Sequence, residues 1–202
     1  MIDHPELTME DALQKYAADH GMWLPDESIA TLMEHSRDAD LFIRMYFRSR
    51  VVSSIASSGI PLTLIGNGWD SLTAAQRKNV TMIQRLSFTE MFPYMEQSKI
   101  TLTVMPWFKA GSHERILNAL MHYSCPLTDE SSWLLEHFAP DEECAYYSLK
   151  QPDALPDKVS DLLNHPEKMS HIVHNGREKV VEHYTSRQIL EHILNYLREC
   201  YG

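Results

Sequence analysis

The feature that most constrains the fold is a series of short apolar runs that alternate with helical patterns in the central part of the chain. Runs of strand length cover residues 60–66, 79–84, 100–105, 125–128 and 143–148. Stretches with helix caps or helical periodicity separate several of them. Strands and helices that alternate in this way form a mostly parallel sheet with helices on both faces. The sequence therefore predicts an α/β fold with a Rossmann-like sheet.

Helical patterns fill the rest of the chain. The N-terminal part predicts a helix over 9–19 and a second helix that opens at Asp26, breaks near 36–40 and continues to Gly59. Further helices are predicted over residues 87–95, 112–123, 131–137, 153–164, 166–183 and 186–199. We therefore divide the chain into a helical N-terminal extension, residues 1–50, and a Rossmann-like domain, residues 51–202.

The charge balance and the cysteines narrow the class of protein. The formal net charge of −10 argues against a nucleic-acid partner, because phosphate backbones bind to basic surfaces. The three cysteines have no metal-binding spacing, and no signal peptide is evident, so we expect reduced thiols and a cytoplasmic protein. No apolar run approaches the roughly 20 residues of a membrane span. We expect no transmembrane segment.

The stretch from Lys109 to Met121 is the strongest candidate for a ligand site. It places a loop of small residues between an apolar run and an amphipathic helix. The first turn of such a helix carries free backbone N–H groups that attract anions, and Arg115 adds a positive charge there. The alternative is a plain strand–helix connection with an exposed arginine.

An ordered series of short motifs gives a family resemblance. The motifs are Gly66-Asn-Gly-Trp69, Tyr94-Met-Glu-Gln-Ser-Lys-Ile100, Gly111-Ser-His-Glu-Arg-Ile-Leu-Asn-Ala-Leu120, Leu127-Thr-Asp-Glu130, Leu163-Asn-His-Pro-Glu167, Asn175-Gly-Arg177 and His183-Tyr-Thr185. The series resembles the C-terminal domain of bacterial group 1-type glycosyltransferases, especially the CgeB-like spore-maturation branch. The resemblance covers roughly residues 50–200. It implies one half of a GT-B fold, the half that holds a nucleotide-sugar donor.

The resemblance also implies roles for particular residues. Arg115 would neutralise the leaving diphosphate, and His113 would act on a phosphate or a hydroxyl. Backbone groups of the loop around Gly111 would face the diphosphate. The remaining candidates for donor binding are Gly66, Gly68, Ser112, Asn118, Asp129 and Glu130. Enzymes of this type usually need no bound metal and no cofactor besides the donor, which is a substrate.

Two departures from the family pattern affect the expected activity. Many relatives carry two glutamates eight positions apart, where this chain has Ala110 and Asn118. A complete GT-B enzyme is also about twice this length. We therefore expect either a fragment of a longer enzyme or a half-enzyme whose acceptor half comes from a partner Rossmann domain or a homo-oligomer, with the acceptor unknown. The alternative is a non-catalytic binding module that retains the fold.

Several candidate residues also have a purely structural interpretation. Trp69 packs on the sheet edge or stacks on a base, and Asp129 either reaches a sugar hydroxyl or caps the next helix. His113 is either a site residue or an inert loop histidine. Ser112 and Cys125 lie in no nucleophile signature. A dinucleotide fingerprint of the G-x-G-x-x-G type is missing, which disfavours an unrelated nucleotide-binding Rossmann protein.

Overall fold

A computed structural model describes residues 1–106 and 108–201 of the chain. Within those residues the helices are α1 (Met9–Asp19), α2 (Asp26–His35), α3 (Arg37–Ser58), α4 (Phe92–Gln97), α5 (Glu114–Met121), α6 (Ser132–His137), α7 (Leu155–Asn164), α8 (Pro166–His183) and α9 (Ser186–Tyr201). The strands are β1 (Leu62–Ile65), β2 (Val80–Ile83), β3 (Ile100–Thr103), β4 (Cys125–Asp129) and β5 (Ala145–Tyr147). Short 3₁₀ turns cover Gln76–Asn79, Thr89–Met91 and Pro152–Ala154.

The five strands form two parallel sheets. β1 pairs with β2, and the second sheet has the order β3-β4-β5. The sequence predicts one mostly parallel sheet, so the strand direction is confirmed while the single sheet is replaced by two. Leu62 of β1, in the first sheet, and Ile100 of β3, in the second sheet, pack against the same apolar core. Side chains therefore connect the two sheets. The carboxyl ends of β3 and β4 open toward the loops that precede α5 and α6.

The helix α3 links the N-terminal part of the chain to the core. The predicted break between two helices is confirmed at Ser36, and α3 then continues for 22 residues to Gly59, whose φ of 85° suits glycine. Ile43, Phe47 and Val51 recur every four residues and bury one face of α3 in the core. The proposed boundary between residues 50 and 51 falls inside this helix, and the division into two domains stays a prediction.

The helix α8 covers the second sheet and crosses α5 at Gly176. A Cβ atom at Gly176 would stand 2.3 Å from the Glu143 carbonyl oxygen and 2.7 Å from a methyl carbon of Leu120. Glycine is therefore required here for the close approach of the helix to its neighbours. The helices α7 and α8 begin close to their predicted starts at 153 and 166.

Two of the three cysteines lie in the core. Cys125 and Cys144 are fully buried, whereas Cys200 on α9 is exposed, and none of them forms a disulfide. Burial raises the pKa of Cys125 to about 12 and also raises that of Cys144. The helix α9 buries none of its side chains. Across the described residues, no helix combines the length and the apolar character needed to cross a bilayer.

Candidate functional site

A buried ion pair fastens the loop before α5 to the end of β4. Lys109 Nζ donates to Asp129 Oδ2 and, over 2.8 Å, to the Glu130 carbonyl oxygen. Asp129 Oδ1 accepts the Met105 backbone N–H over 2.5 Å. Asp129 is 0% exposed and Lys109 is 6% exposed. Burial raises the pKa of Asp129, and the Lys109 ammonium opposes that shift. Both carboxylate oxygens of Asp129 are thus engaged inside the protein.

Two serines at the start of α6 reinforce the connection. Ser131 Oγ donates to the Gly111 carbonyl oxygen over 2.6 Å and accepts a backbone N–H of α6 over 3.1 Å. Ser132 donates to the Lys109 carbonyl oxygen through its backbone N–H at 2.9 Å and its hydroxyl at 3.1 Å. The cap of α6 is Ser131, so the interpretation of Asp129 as the cap is wrong. The loop is thus held by the side chains of Lys109, Ser131 and Ser132, of which Lys109 and Ser131 are buried.

The start of α5 carries backbone donors that have no acceptor. The helix begins at Glu114, two residues later than the sequence predicts, with His113 as its N-cap. Within the described part of the chain, the backbone N–H groups of Ser112, His113 and Glu114 donate to no protein atom. Such N–H groups, together with the helix dipole, attract negative charge. The geometry at this helix start therefore suits an anion.

The His113 side chain accepts a backbone hydrogen bond at the start of α5. Its Nδ1 accepts the Arg115 backbone N–H over 3.2 Å. Burial lowers the pKa of His113 and the Arg115 guanidinium lowers it further, while Glu114, with Oε2 at 3.0 Å from Nδ1, acts in the opposite direction. A neutral ring that accepts at Nδ1 carries its proton on Nε2. In its neutral form, His113 can therefore donate one hydrogen bond through Nε2.

The positive charge at this helix start comes from two arginines. Burial lowers the pKa of Arg115, the nearby Arg48 cation lowers it further, and Glu114 opposes both effects. Arg48 lies on α3, is exposed to solvent, and has its guanidinium carbon 5.5 Å from the centroid of the Trp69 ring. Among the residues that the structure describes, neither guanidinium forms an ion pair. Arg48 belongs to none of the motifs that predict the site, because no motif shows which face of α3 meets the later loops.

The loop after β1 reaches the same region through Trp69. Gly66 and Gly68 have φ values of 114° and 92°, in the region that favours glycine. Trp69 is 8% exposed and packs in a small cluster with Val52, Ala56, Leu64 and Leu72. The packing interpretation of Trp69 is therefore confirmed. Its ring also carries the Arg48 guanidinium on one face, as in a cation–π contact.

The remaining candidates differ in how far their side chains are exposed to solvent. Asn118 is half-buried one turn beyond Arg115, and Glu130 is exposed at the end of β4. Asp129 is enclosed, so Glu130 is the carboxylate of this pair that a ligand can reach. Gly111, Ser112, His113 and Arg115 lie together at the start of α5, as expected from their adjacency. Their part in binding stays a prediction.

Two other features are a hollow along α3 and the arrangement of side chains that could bind a metal ion. A hollow of about 430 Å³ lies along the C-terminal half of α3. Four serines of that helix line it, together with Arg50, Asp153 and Pro156. It contains none of the predicted site residues. The described residues also contain no group of three or more His, Cys, Asp or Glu side chains that could hold a metal ion.

Comparisons with known proteins point to one family. A family model described as "Glycosyl transferase-like" matches residues 48–195. The chain is similar in structure to TarM, with a TM-score of 0.58 and 14% identity over 76% of this chain and 32% of TarM. It is also similar to the C-terminal domain of LpcC, a glycosyl transferase group 1 family protein from Francisella tularensis, with a TM-score of 0.52 and 16% identity over 71% of this chain and 79% of that domain. No match was found among curated proteins.

These comparisons bear on the fold and on the length. The structural matches confirm the expected α/β class of parallel sheets flanked by helices, as found in GT-B glycosyltransferases. Because both identities are low, the matches show the fold alone. The chain spans about a third of the length of TarM.

Proposed function

Because the chain belongs to the glycosyl transferase-like family, we propose that it binds a nucleoside-diphosphate sugar and transfers the glycosyl group to an acceptor. The donor diphosphate would lie at the start of α5. The observation that carries this proposal is a combination of three backbone N–H groups without an acceptor and the Arg115 guanidinium without an ion pair, both among the residues that the structure describes. Membership of the CgeB-like branch stays a prediction.

The proposed chemistry follows from the charge that develops in the reaction. Breaking the bond between the sugar and the diphosphate leaves negative charge on the departing phosphate oxygen. Donors that are already oriented stabilise such charge without reorganising, which is the largest contribution in many enzymes. Arg115 and the amides of Ser112, His113 and Glu114 would fill this role, and His113 Nε2 would donate one further hydrogen bond. Glu130 and Asn118 remain the proposed contacts for sugar or ribose hydroxyls.

The exposed helix α9 supports a partner for the acceptor side. None of the α9 side chains is buried. We propose that a second Rossmann domain or another copy of the chain completes the cleft and supplies the base that activates the acceptor. The chain alone would then bind the donor with little transfer.

Binding is tested first by titration calorimetry of the wild-type chain with UDP, GDP, ADP and their sugars. We expect one class of nucleoside diphosphate to bind, and Arg115→Gln to weaken it by about 10- to 100-fold, because charge-assisted hydrogen bonds contribute about 1.5–3 kcal/mol. Arg187→Gln on α9 is the matched control and should leave binding unchanged, since Arg187 pairs with Glu191 at 2.9 Å. No heat with any nucleotide would falsify the proposal.

The non-catalytic alternative rests on one specific observation. Ala110 and Asn118 stand where many relatives of the resembling family carry glutamates. Without those carboxylates, a chain could keep the diphosphate site and lose the grip on the donor that transfer needs. Donor binding with no hydrolysis or transfer, even after the partner domain is added, would favour the binding module.

A further inference from the structure

We propose that α9 is an interaction surface for a second copy of this chain, and that the two α9 helices pair antiparallel along their apolar faces. The inference goes beyond the proposed function and does not rest on donor binding. The partner helix is identical, so every contact across the pair occurs twice. The apolar face of α9, its spacing and its charges each point to this partner.

The helix α9 has an apolar face that no described part of the chain covers. None of its side chains is buried, and none belongs to the three apolar clusters of the described core. On its polar side, Gln188 Nε2 donates to the Val181 carbonyl oxygen over 3.0 Å, so this side contacts the end of α8. The apolar face is left to solvent. Its large side chains, all at least 43% exposed, are Ile189, Leu190, Ile193, Leu194, Tyr196, Leu197 and Tyr201.

Four of these side chains form a seam with the spacing of a coiled coil. Leu190, Leu194, Leu197 and Tyr201 follow one another at intervals of four, three and four residues. With 3.6 residues per turn, they lie within about 60° of one another around the helix axis. Side chains at this spacing insert between those of a facing helix. In an antiparallel pair, Leu194 would face Leu197 of the second copy, and Leu190 would face its Tyr201.

The charges beside the seam are complementary to themselves in that register. Glu191 and Arg198 lie seven residues apart and flank the seam on the same side. When Leu194 stands opposite Leu197 of the second copy, Glu191 comes next to the second copy's Arg198, and Arg198 next to its Glu191. Oppositely charged residues that flank the seam determine the partner and the orientation of such helices. One interface would therefore contain two equivalent ion pairs.

The position of Arg187 favours the antiparallel orientation over the parallel one. Arg187 lies seven residues before Leu194 and is in line with the seam. In a parallel pair, Arg187 of one copy would face Arg187 of the other, and the two like charges would repel each other. In the antiparallel pair, each Arg187 lies beyond Tyr201 of the other helix. The repulsion is then avoided.

The charge balance of α9 favours a protein partner over a lipid surface. The helix contains Arg187 and Arg198 as positive residues, and Glu191 and Glu199 as negative ones. Helices that lie on anionic membranes carry an excess of Lys and Arg on their polar face. The two charges of each sign in α9 give no such excess, whereas they match a second α9.

Sedimentation equilibrium of the full chain without nucleotide tests the pairing. Two helices of 16 residues make a small interface, so we expect a dimer with a Kd in the micromolar range. Leu194→Glu should raise the Kd by about 100-fold or more, because it buries a charge against an apolar layer. The fold should be retained, because α9 buries none of its side chains. Circular dichroism melts of each variant check this.

Charge reversals test the register. Glu191→Lys and Arg198→Glu should each raise the Kd by about tenfold or more, because each creates two pairs of like charge across the interface. The double variant Glu191→Lys, Arg198→Glu should dimerise like the wild type. A mixture of the two single variants should form a heterodimer, in which both pairs are again opposite in sign. Glu199→Lys makes the same change of charge on the opposite face and is the matched control, with an unchanged Kd.

Each contrary result would overturn a stated part of the inference. A wild-type chain that stays monomeric at about 100 μM would exclude the second copy as the partner. A dimer that Leu194→Glu leaves intact would exclude α9 as the interface. A double charge variant that remains monomeric would reject the antiparallel register. A monomer that binds vesicles of phosphatidylcholine and phosphatidylglycerol, and loses this binding in Leu194→Glu, would assign the face to a lipid surface instead. Because no nucleotide is present, these results are independent of the titration that tests donor binding.

Discussion

At the scale of single residues, the contact between Lys109 and Asp129 determines where the candidate site lies. It buries two charges at the carboxyl end of β4 and holds the loop that begins α5. The two members of such a buried pair are strongly coupled, because the loss of one leaves the other as an uncompensated charge out of contact with solvent. The residues at the start of α5 therefore depend on a buried pair that lies outside the helix itself.

Breaking this pair on one side should destabilise the protein strongly. We expect Asp129→Leu or Lys109→Met to lower the free energy of unfolding by about 3–5 kcal/mol, because each leaves an unpaired buried group. The double variant Lys109→Met, Asp129→Leu should cost clearly less than the sum of the single changes. Urea unfolding of the four proteins measures this coupling. Additive losses would show that the two side chains act independently.

A partly exposed pair provides the control. Lys158 Nζ lies 2.6 Å from Asp141 Oδ1, with side-chain exposures of 25% and 41%. Lys158→Met should cost at most about 1 kcal/mol, because solvent screens such pairs.

The residues of the loop also show how far sequence reasoning reaches. The cluster from Gly111 to Arg115 could be predicted because its members are adjacent in the chain. The sequence predicts Asp129 as a sugar contact or a helix cap. It does not predict the pair with Lys109, because a sequence does not show which of the 18 Lys and Arg side chains reaches a given carboxylate. Arg48 was missed for the same reason, because its position depends on how α3 packs.

At the scale of elements, the crossing of α5 and α8 sets the distance between the helix of the candidate site and the helix that covers the second sheet. Gly176 allows α8 to approach the backbone near Glu143 and the side chain of Leu120. The helix boundaries follow from local signals and could be predicted within a few residues. The separation of the strands into two sheets could not, because it depends on which strand edges pair across the fold.

Replacing Gly176 should reverse the ordinary helix preference. Alanine in place of glycine usually stabilises a helix by about 1 kcal/mol. Here we expect Gly176→Ala to destabilise the protein by about 1–3 kcal/mol, since the new methyl group overlaps backbone that has little room to move. Thermal unfolding measures the change, and His174→Ala on the exposed face of the same helix is the control. An unchanged or higher melting temperature would contradict the close packing.

At the scale of the whole molecule, α3 belongs to the core that carries the second sheet. Phe47 is 1% exposed and Ile43 is 8% exposed, and both belong to the core cluster that contains β4 and β5 residues. The helices α1 and α2 bury far less, with Ala17 and Ile29 as their buried residues. The predicted boundary at residue 50 follows from the strand pattern, which starts after it. Burial in the structure favours a boundary before α3.

Truncations test this boundary. Removal of residues 1–36 should leave a folded chain with a modest loss of stability, because α3 stays intact. Removal of residues 1–50 should abolish cooperative unfolding, since it deletes Ile43 and Phe47, and large buried side chains contribute about 2–5 kcal/mol each. Circular dichroism melts of both chains measure the difference. Equal melting temperatures would restore the boundary at residue 50.

The burial of Cys125 and Cys144 has a practical consequence for work on this molecule. Their thiols are enclosed and their pKa values are raised, so they are poor nucleophiles at neutral pH, whereas Cys200 is open to solvent. A maleimide dye would thus attach at one position of the natural sequence. That position lies on α9, so a fluorescent reporter of this helix and its surroundings requires no engineered cysteine.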